Sequence, residues 1–207
     1  ADTGYRIAKV TPGGSYRIRG KRGTMRGSIL TQFRPFPYEP GANRAMIGGA
    51  FATHDLNGLP VDADDNFDVL LSPAKPEGHD GPWWPLEPGT TQLWVRMVKG
   101  DWATEEEPTL SIERIDLPLG GKPRSPAAWL EERLRTLGPA VRYYSTIEIE
   151  HVEGLRKGGF LNDKLTYYDT SEVMGLEGQY YFECAYELAD DEALIVEAII
   201  PRSFEYW

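Results

Sequence analysis

Hydrophobic and polar side chains alternate along short stretches in the first part of the chain. In residues 15–20, Tyr16 and Ile18 alternate with arginines, which is the period-2 pattern of a strand with one buried face. Residues 28–33 form a second such stretch, and glycines between the two would allow a turn. The pattern therefore predicts two strands that pair with each other.

Three more strands are predicted further along, separated by prolines. Phe67–Ser72 is short and apolar, Gln92–Val98 alternates, and Thr109–Asp116 places its apolar residues on one side. Between the two groups runs a segment rich in Pro and Gly from Pro35 to about Leu59. It is long for a loop, so it is either functional or includes a short strand around Ala45–Ala52.

A helix is predicted in the middle of the chain. Ser125 is a suitable N-cap and Pro126 a suitable first helical residue, whereas Gly138 and Pro139 are typical of a helix end. The residues that follow, 140–157, fit either a helix or a strand, with helix slightly favoured. The apolar stripe of the predicted helix consists of Leu130, Leu134 and Leu137, flanked by Trp129.

The C-terminal part predicts a β-hairpin. Residues 179–188 and 193–200 both alternate, and Ala189-Asp190-Asp191-Glu192 lies between them as a turn. We expect the strands to bury Phe182, Cys184, Val196 and Ala198. The chain then ends in an aromatic segment that should pack in an intrachain groove or mediate a homo-oligomer. Its aromatic residues are Phe204, Tyr206 and Trp207.

Together these elements predict a mainly β protein, a jelly-roll-like antiparallel β-sandwich with a helical insertion around 125–158. An α+β fold is the alternative. The 22 Gly, 16 Pro and 12% aromatic residues suit short strands joined by turns. We expect one β-rich domain over 1–207, with a sandwich half at 1–118 and a hairpin at 178–201. The sequence leaves open whether it is part of a longer chain.

Charge and cysteine content exclude some classes of partner. A net charge of -10 argues against nucleic acid, because phosphate backbones require a basic surface. The lone Cys184 cannot form an internal disulfide, so the compartment stays open, with the cytoplasm slightly favoured. No apolar stretch reaches the roughly 18 residues of a transmembrane helix. We therefore expect a soluble protein without membrane insertion.

A series of motifs follows in order along the first part of the chain. They are residues 65–72 (DNFDVLLS), 84–89 (WPLEPG), 93–96 (LWVR), 101–102 (DW) and 112–114 (IER). Through these motifs the chain resembles, over roughly residues 1–116, the bacterial family catalogued as domain of unknown function 1214, although Asn66 stands where a glycine is usual. The resemblance implies a β-sandwich of jelly-roll type with no established activity.

An acidic run provides the first candidate site. Asp62, Asp64, Asn66 and Asp68 supply oxygen atoms at the alternate spacing of a calcium loop. Phe67 replaces the tight-turn glycine of such a loop, and no bidentate Glu closes it. A turn before the next strand, stabilised by Asx hydrogen bonds, is therefore the favoured interpretation.

Tryptophans provide a second candidate, because their flat faces can stack on a sugar or another flat ligand. Trp83 and Trp84 lie in a segment rich in Pro and Gly, where they either plug the core or form the lip of a binding site. Trp102 lies in another predicted loop. Trp94 is in the middle of a strand, where packing is the favoured role.

Acid–base groups provide the third candidate: His54, His151, Glu148 and Glu150. They would support catalysis only if they converged in a pocket. No nucleophile, metal or nucleotide motif accompanies them, so no cofactor is expected. The favoured function is a non-catalytic domain that binds a small organic or carbohydrate-like ligand or a protein partner. A hydrolase or lyase and a structural assembly subunit are the alternatives.

Overall fold

The computed structural model of the chain describes residues 3–36, 38–39, 50–117, 126–162, 164–169, 180–197 and 199. Within these residues the chain forms ten strands and one long helix, α1, which spans Ala127–Lys157. The strands are β1 Thr3–Lys9, β2 Tyr16–Lys21, β3 Gly27–Phe33, β4 Ala50–Asp55, β5 Asn66–Ser72, β6 Trp83–Pro85, β7 Gln92–Val98, β8 Ser111–Arg114, β9 Thr166–Asp169 and β10 Tyr180–Glu183.

Eight of the described strands form two four-stranded sheets. The first sheet has the order β1-β7-β3-β4, and the second has the order β6-β5-β2-β8. Neighbouring strands are antiparallel except β5 and β6, which are parallel. The mainly β sandwich with a helical insertion is thus confirmed.

The core lies between the two sheets and follows from the alternation seen in the sequence. Leu30 and Met97 reach it from the first sheet, and Ile18, Val69 and Leu71 reach it from the second. All five belong to one cluster of buried side chains. Because successive residues of a strand face opposite ways, the alternate positions of these strands form the outer faces.

The predicted pairing of residues 15–20 with 28–33 is wrong. Strand β2 pairs with β5 and β8, whereas β3 lies in the other sheet between β4 and β7. Opposite charges match across the pairs that β2 does form, with Arg17 beside Asp68 and Arg19 beside Glu113. The connection from β2 to β3 therefore crosses between sheets instead of forming a hairpin.

The close approach of the β2 backbone to the segment before β8 also fixes β2 in its sheet. A Cβ atom at Gly20 would lie 1.6 Å from the carbonyl oxygen of Thr109, so only glycine fits where these two backbone segments meet. The Lys21 N–H donates to the Thr109 hydroxyl at 2.8 Å across the same contact.

The strands predicted at Phe67–Ser72 and Gln92–Val98 are confirmed, and the one predicted at Thr109–Asp116 is shorter. The segment from Pro35 to Leu59 does include a strand, β4, although residues 40–49 lie outside the described part. Residues 83–85, predicted as loop, add a short parallel strand beside β5.

The helix extends well past its predicted end at Leu137, and that boundary is wrong. It runs through Gly138 and Pro139 to Lys157, so the helical interpretation of residues 140–157 is confirmed. Proline removes one backbone donor, and the exposed surroundings of Pro139 let water satisfy the acceptor it leaves. Ser125, the predicted N-cap, lies outside the described residues.

The predicted C-terminal hairpin is also wrong. Strand β10 pairs with β9, and residues 193–197 form no strand. Phe182 and Val196 are largely exposed and Cys184 is half-buried, while Ala198 lies outside the described residues. Residues beyond β10 bond instead to the segment after α1, where Asn162 exchanges hydrogen bonds with Ala185 and Glu187. The backbone groups of Ala185 and Glu187 that a hairpin would pair with a second strand are therefore bonded to Asn162.

Candidate functional site

The outer face of the first sheet carries a group of aromatic side chains. In β7, Leu93 and Val95 point into the core, so Trp94 and Arg96 point outward. The strand register places Tyr5 of β1 opposite Arg96, and Thr31 of β3 opposite Trp94. Phe33, two residues after Thr31, lies on the same face, with its ring centroid 5.2 Å from that of Trp94.

The segment after β3 adds further rings to this face. The ring of Phe36 is stacked on that of Phe33 at 5.9 Å, and the ring of Tyr38 is stacked on that of Phe36 at 5.7 Å. Helix α1 covers them with Tyr143, 5.6 Å from Tyr38, and Tyr144, 5.8 Å from the same ring. The helix is thus attached to the sandwich through aromatic contacts.

These side chains do not fill the space between the helix and the sheet. A cavity of about 140 Å³ remains, which we call the aromatic pocket. Its lining residues with a hydroxyl or a charged group are one threonine, two tyrosines and one arginine. The pocket is lined by Tyr5, Thr31, Phe33, Phe36, Trp94, Arg96 and Tyr144.

A hydrogen-bonded chain holds two walls of the pocket in place. The carboxylate of Glu39 accepts from the backbone N–H of Phe36 at 2.7 Å and from the side-chain amide of Gln92 at 2.6 Å. Gln92 in turn accepts from the indole N–H of Trp94 at 3.1 Å. Glu39 also pairs with Lys9, so its charge is offset. The positions of Phe36 and Trp94 are therefore fixed by bonds as well as by packing.

Charge in the pocket comes from Arg96. Its guanidinium carbon lies 5.5 Å from the centroid of the Tyr5 ring, a cation–π geometry. Tyr38 and Tyr144 bring their hydroxyl oxygens within 3.5 Å of each other, and burial raises the pKa of Tyr38. Burial likewise raises the pKa of Tyr143. Tyr38 and Tyr143 therefore stay neutral at pH 7.

A set of hydrogen-bonded polar residues lies between the sheets, centred on the fully buried Gln32. Its amide oxygen accepts from the backbone N–H of Glu87 at 2.9 Å and from the Thr90 hydroxyl at 3.0 Å. Its amide nitrogen lies 2.7 Å from the carbonyl oxygen of Pro85 and 3.0 Å from Nε2 of His54. We call this group the Gln32 clamp, because it connects β3 and β4 to the segment after β6.

The clamp determines the protonation state of His54. A backbone N–H can only donate, so the Glu87 contact fixes which end of the Gln32 amide is oxygen. The Gln32 nitrogen must then donate to Nε2 of His54, which leaves the imidazole neutral with its proton on Nδ1. The ring of His54 also stacks on Trp84, with centroids 4.7 Å apart, and burial lowers its pKa.

We predict that the clamp makes the stability of the protein fall in mild acid. Because the folded pKa of His54 lies below its unfolded value of about 6.5, the unfolded chain binds a proton first as the pH falls. The free energy of unfolding should decrease below about pH 6.5, with a contribution of up to about 1.4 kcal/mol per pH unit from this one group. Urea unfolding at a series of pH values measures it.

His54→Gln is the variant that tests this prediction, because its side chain can still accept from Gln32 but does not titrate. The wild-type protein should lose more stability than this variant between about pH 7 and pH 5. His79→Gln is the control, since His79 contacts the Pro82 carbonyl and not the clamp. Equal pH dependence of the wild type and His54→Gln would contradict the assignment.

The predicted acid–base residues lie in separate environments. His54 belongs to the clamp, whereas Nε2 of His151 on α1 lies 2.9 Å from the carboxylate of Glu183 at the end of β10. Glu148 and Glu150 are exposed on α1. The sequence did not indicate Glu183 as the partner of His151. Glu183 lies in β10, and the position of β10 depends on its pairing with β9.

The predicted tryptophan platforms lie outside the aromatic pocket. The indole of Trp83 donates to the Ser72 hydroxyl at 2.9 Å, and Trp84 packs on His54 against the core. Trp102 is largely exposed, in the turn after β7. Trp94, for which the sequence favoured packing, lines the pocket. Its partners come from segments far apart in sequence, so no local motif could indicate the site.

The acidic run forms a tight turn with its own hydrogen bonds. Oδ1 of Asp62 accepts from the backbone N–H groups of Asp64 and Asn66 at 2.9 Å each. Asp68 pairs with Arg17, a hydrogen bond that lowers the pKa of the Asp68 carboxyl. Across the part of the chain that the structure describes, His, Cys, Asp and Glu side chains form no group of three suited to a metal ion.

Comparison with solved structures supports the fold. The chain is similar to an uncharacterized protein from Burkholderia cenocepacia, with 26% identity and a TM-score of 0.75 over 92% of this chain. The match covers 50% of the Burkholderia chain, so this chain spans about half of its length. A protein from Vibrio parahaemolyticus matches with 15% identity and a TM-score of 0.38, over 55% of this chain and 31% of its own. That score is too low to support an argument.

No family model matches the chain, and no curated protein matches it in sequence. Among the helices of the described residues, none has the length and apolar character needed to cross a bilayer. The name of the Burkholderia protein gives no activity. Inferences about function therefore depend on the geometry of the sites.

Proposed function

We propose that this chain is a binding domain for a small organic ligand with one ring, which occupies the aromatic pocket. The observation that carries the proposal is the cavity of about 140 Å³ between α1 and the outer face of the first sheet. The pocket is partly open to solvent at Tyr5 and Tyr144, so a ligand can enter it, and ligand sites are concave and lined mostly by apolar and aromatic side chains.

The volume limits the size of the ligand. An apolar cavity of about 150 Å³ holds one benzene molecule, whereas pockets for drug-sized ligands are about 300–1,000 Å³. The aromatic pocket is therefore suited to a single six-membered ring with a small polar substituent. The rings of Phe33 and Trp94 offer edges and faces for contact, as in aromatic pairs 4.5–7 Å apart.

A binding role fits the described residues better than catalysis. Acid–base catalysis needs a base within hydrogen-bond reach of a bound substrate. Among the described residues, those that line the aromatic pocket include no carboxylate, histidine or cysteine. His54 is held in the clamp and His151 pairs with Glu183, so both already have structural partners.

Titration with benzyl alcohol, followed by NMR of the indole N–H signals, tests the proposal. The Trp94 signal, assigned from Trp94→Phe, should move and saturate as the ligand is added, because its indole N–H donates beside the pocket. The Trp102 signal should stay fixed, because that side chain lies in the turn after β7 and does not line the pocket. An unchanged Trp94 signal at millimolar ligand would contradict the proposal.

A second candidate function, assembly, is favoured by the surface of α1. Four apolar side chains on this helix are more than half exposed, and their spacing of four, three and four residues is that of a coiled-coil seam. We propose that a second copy of the chain covers this seam, because a two-fold axis pairs one stripe with another of the same kind. The seam consists of Leu130, Leu134, Leu137 and Val141.

The energy of this association can be estimated. Complete burial of an aliphatic side chain contributes about 1.5–3 kcal/mol, so burying the exposed halves of these side chains in two copies contributes roughly 6–12 kcal/mol. Association costs about 4–15 kcal/mol in lost freedom of motion. The two terms are similar, so we expect a dimer that depends on protein concentration.

Sedimentation velocity over a range of concentrations measures this dimer. The double variant Leu134→Glu, Leu137→Glu should remain monomeric where the wild type dimerises, because each pairing would bury charges. Ile149→Glu is the control, since Ile149 is exposed on the same helix but outside the seam. A wild-type protein that is monomeric at all concentrations would contradict the proposal that a second copy covers the seam.

Two sequence-based expectations remain proposals. Membership of the family catalogued as domain of unknown function 1214 is consistent with a β-sandwich, but its activity would still be open. Assembly through Phe204, Tyr206 and Trp207 concerns residues outside the described part. A truncation after Pro201 tests the latter separately from the α1 seam, by its effect on the sedimentation coefficient.

A further inference from the structure

We propose that the ligand of the aromatic pocket carries a hydroxyl group that hydrogen-bonds to Thr31, so that its chemical class is the one-ring alcohols and phenols. This inference rests on the proposed binding function and specifies the ligand of that site. Its basis is a buried threonine hydroxyl that lines the pocket and has no hydrogen-bond partner among the described residues.

The position of Thr31 in β3 places its side chain in the pocket wall. Leu30 points into the core, so Thr31 points to the outer face, where the strand register sets it opposite Trp94. Only 6% of Thr31 is exposed, so little water reaches its hydroxyl. The other buried threonine of the described residues, Thr90, donates to Gln32. A buried polar group without a partner is costly and uncommon, so the Thr31 hydroxyl marks a point where a ligand group can bind.

The other polar groups of the pocket wall are engaged or reach solvent. The guanidinium of Arg96 lies over the ring of Tyr5 and makes a further contact in the structure. The hydroxyl of Tyr144 lies within 3.5 Å of that of Tyr38, and Tyr5 is 43% exposed, so water can reach it. Among the described residues that line the pocket, Thr31 is thus the buried side chain whose polar group a ligand can still engage.

The size of the cavity decides which polar group fits beside the ring. Its volume of about 140 Å³ is close to the roughly 150 Å³ that holds one benzene molecule, so little space remains beyond the ring. A hydroxyl adds a single oxygen atom and can both donate to a threonine and accept from it. An ionised group would be buried there without an unengaged partner of opposite charge, which is unfavourable. A neutral hydroxyl is therefore the smallest group that satisfies Thr31.

The test compares benzyl alcohol with ethylbenzene, which has the same number of non-hydrogen atoms but no hydroxyl. Thr31→Val should weaken benzyl alcohol by about threefold to tenfold, the effect of one neutral hydrogen bond, and should leave ethylbenzene unchanged. Thr31→Ser retains the hydroxyl and should keep the wild-type ratio of the two affinities. Thr53→Val is the matched control, because Thr53 lies opposite Thr31 in β4 but is exposed and does not line the pocket. Isothermal titration calorimetry and the Trp94 indole signal measure the affinities.

The stability of the free protein provides a second readout. Because the Thr31 hydroxyl has no partner in the absence of a ligand, Thr31→Val should unfold at the same urea concentration as the wild type or at a higher one. Weaker binding of benzyl alcohol would then report the lost ligand contact and not a damaged fold. A clearly lower midpoint would mean that the hydroxyl already stabilises the free protein, which would contradict the inference.

The affinities separate this inference from the binding function on which it rests. If both ligands bind and Thr31→Val weakens them equally, or weakens neither, the hydroxyl contact is contradicted and the one-ring pocket remains. If neither ligand binds the wild-type protein, the binding function and this inference are overturned together.

Discussion

Replacement of Gln32 by leucine is expected to lower the free energy of unfolding by about 3–5 kcal/mol. The substitution preserves size but removes four polar contacts, to Glu87, Thr90, Pro85 and His54. Each buried polar group left without a partner costs about 1–3 kcal/mol. For a protein of this size the midpoint of thermal unfolding should fall by roughly 6–20 °C.

Thr90→Val is the graded control for this prediction. Thr90 is also fully buried and makes one of the four contacts, so its loss should cost about 1 kcal/mol. Urea unfolding measures both variants, with the m-value checking that the two-state transition is preserved. A Gln32→Leu protein within about 1 kcal/mol of wild type would mean that the clamp contributes little to the sandwich.

Replacement of Trp94 by alanine is expected to weaken binding of benzyl alcohol in the aromatic pocket by about 30-fold or more. The Trp94 ring contacts Tyr5, Phe33 and Phe36 at 5.9, 5.2 and 5.4 Å, so its loss removes the central wall. A side chain at the centre of a binding site contributes about 2 kcal/mol or more, which corresponds to about 30-fold in affinity. The variant should also lose about 3 kcal/mol of stability.

Two other variants separate binding from stability. Trp94→Phe retains a ring at the site and should bind benzyl alcohol within a few-fold of wild type. Trp102→Ala removes an exposed ring outside the pocket and should change neither property. Calorimetric titration of all three, at a temperature where circular dichroism shows them folded, provides the comparison. Wild-type affinity in folded Trp94→Ala would place the ligand elsewhere.

Local sequence patterns were sufficient to predict several strands of the sandwich. The strands at Phe67–Ser72 and Gln92–Val98 were predicted because alternation and bounding prolines are local signals. Pairing of β2 with β3 was wrong, since nothing local indicates that Arg17 finds Asp68 fifty residues away. The helix end was wrong for another reason. The spacing of Leu137 and Val141 continues the apolar stripe across Gly138 and Pro139, and this periodicity prevailed over the two helix breakers.

Local sequence patterns could not predict the candidate site. Its lining residues come from β1, β3, the segment after β3, β7 and α1, and each looks in sequence like an ordinary packing residue. Trp94 was noted only as a ring in the middle of a strand, and Arg96 lay unremarked within the strand predicted at Gln92–Val98. The strand register brings Tyr5, Trp94 and Thr31 side by side, and it depends on long-range pairing. Sites of this kind become visible only once the sheet order is known.

The central claim, that the aromatic pocket binds one-ring ligands, is tested most directly by intermolecular nuclear Overhauser effects in the benzyl alcohol complex. The proposal predicts contacts from the ligand ring to the side chains of Phe33, Trp94 and Tyr144. Contacts confined to Trp84, Trp102 or the α1 seam, or none under saturating benzyl alcohol, would contradict it.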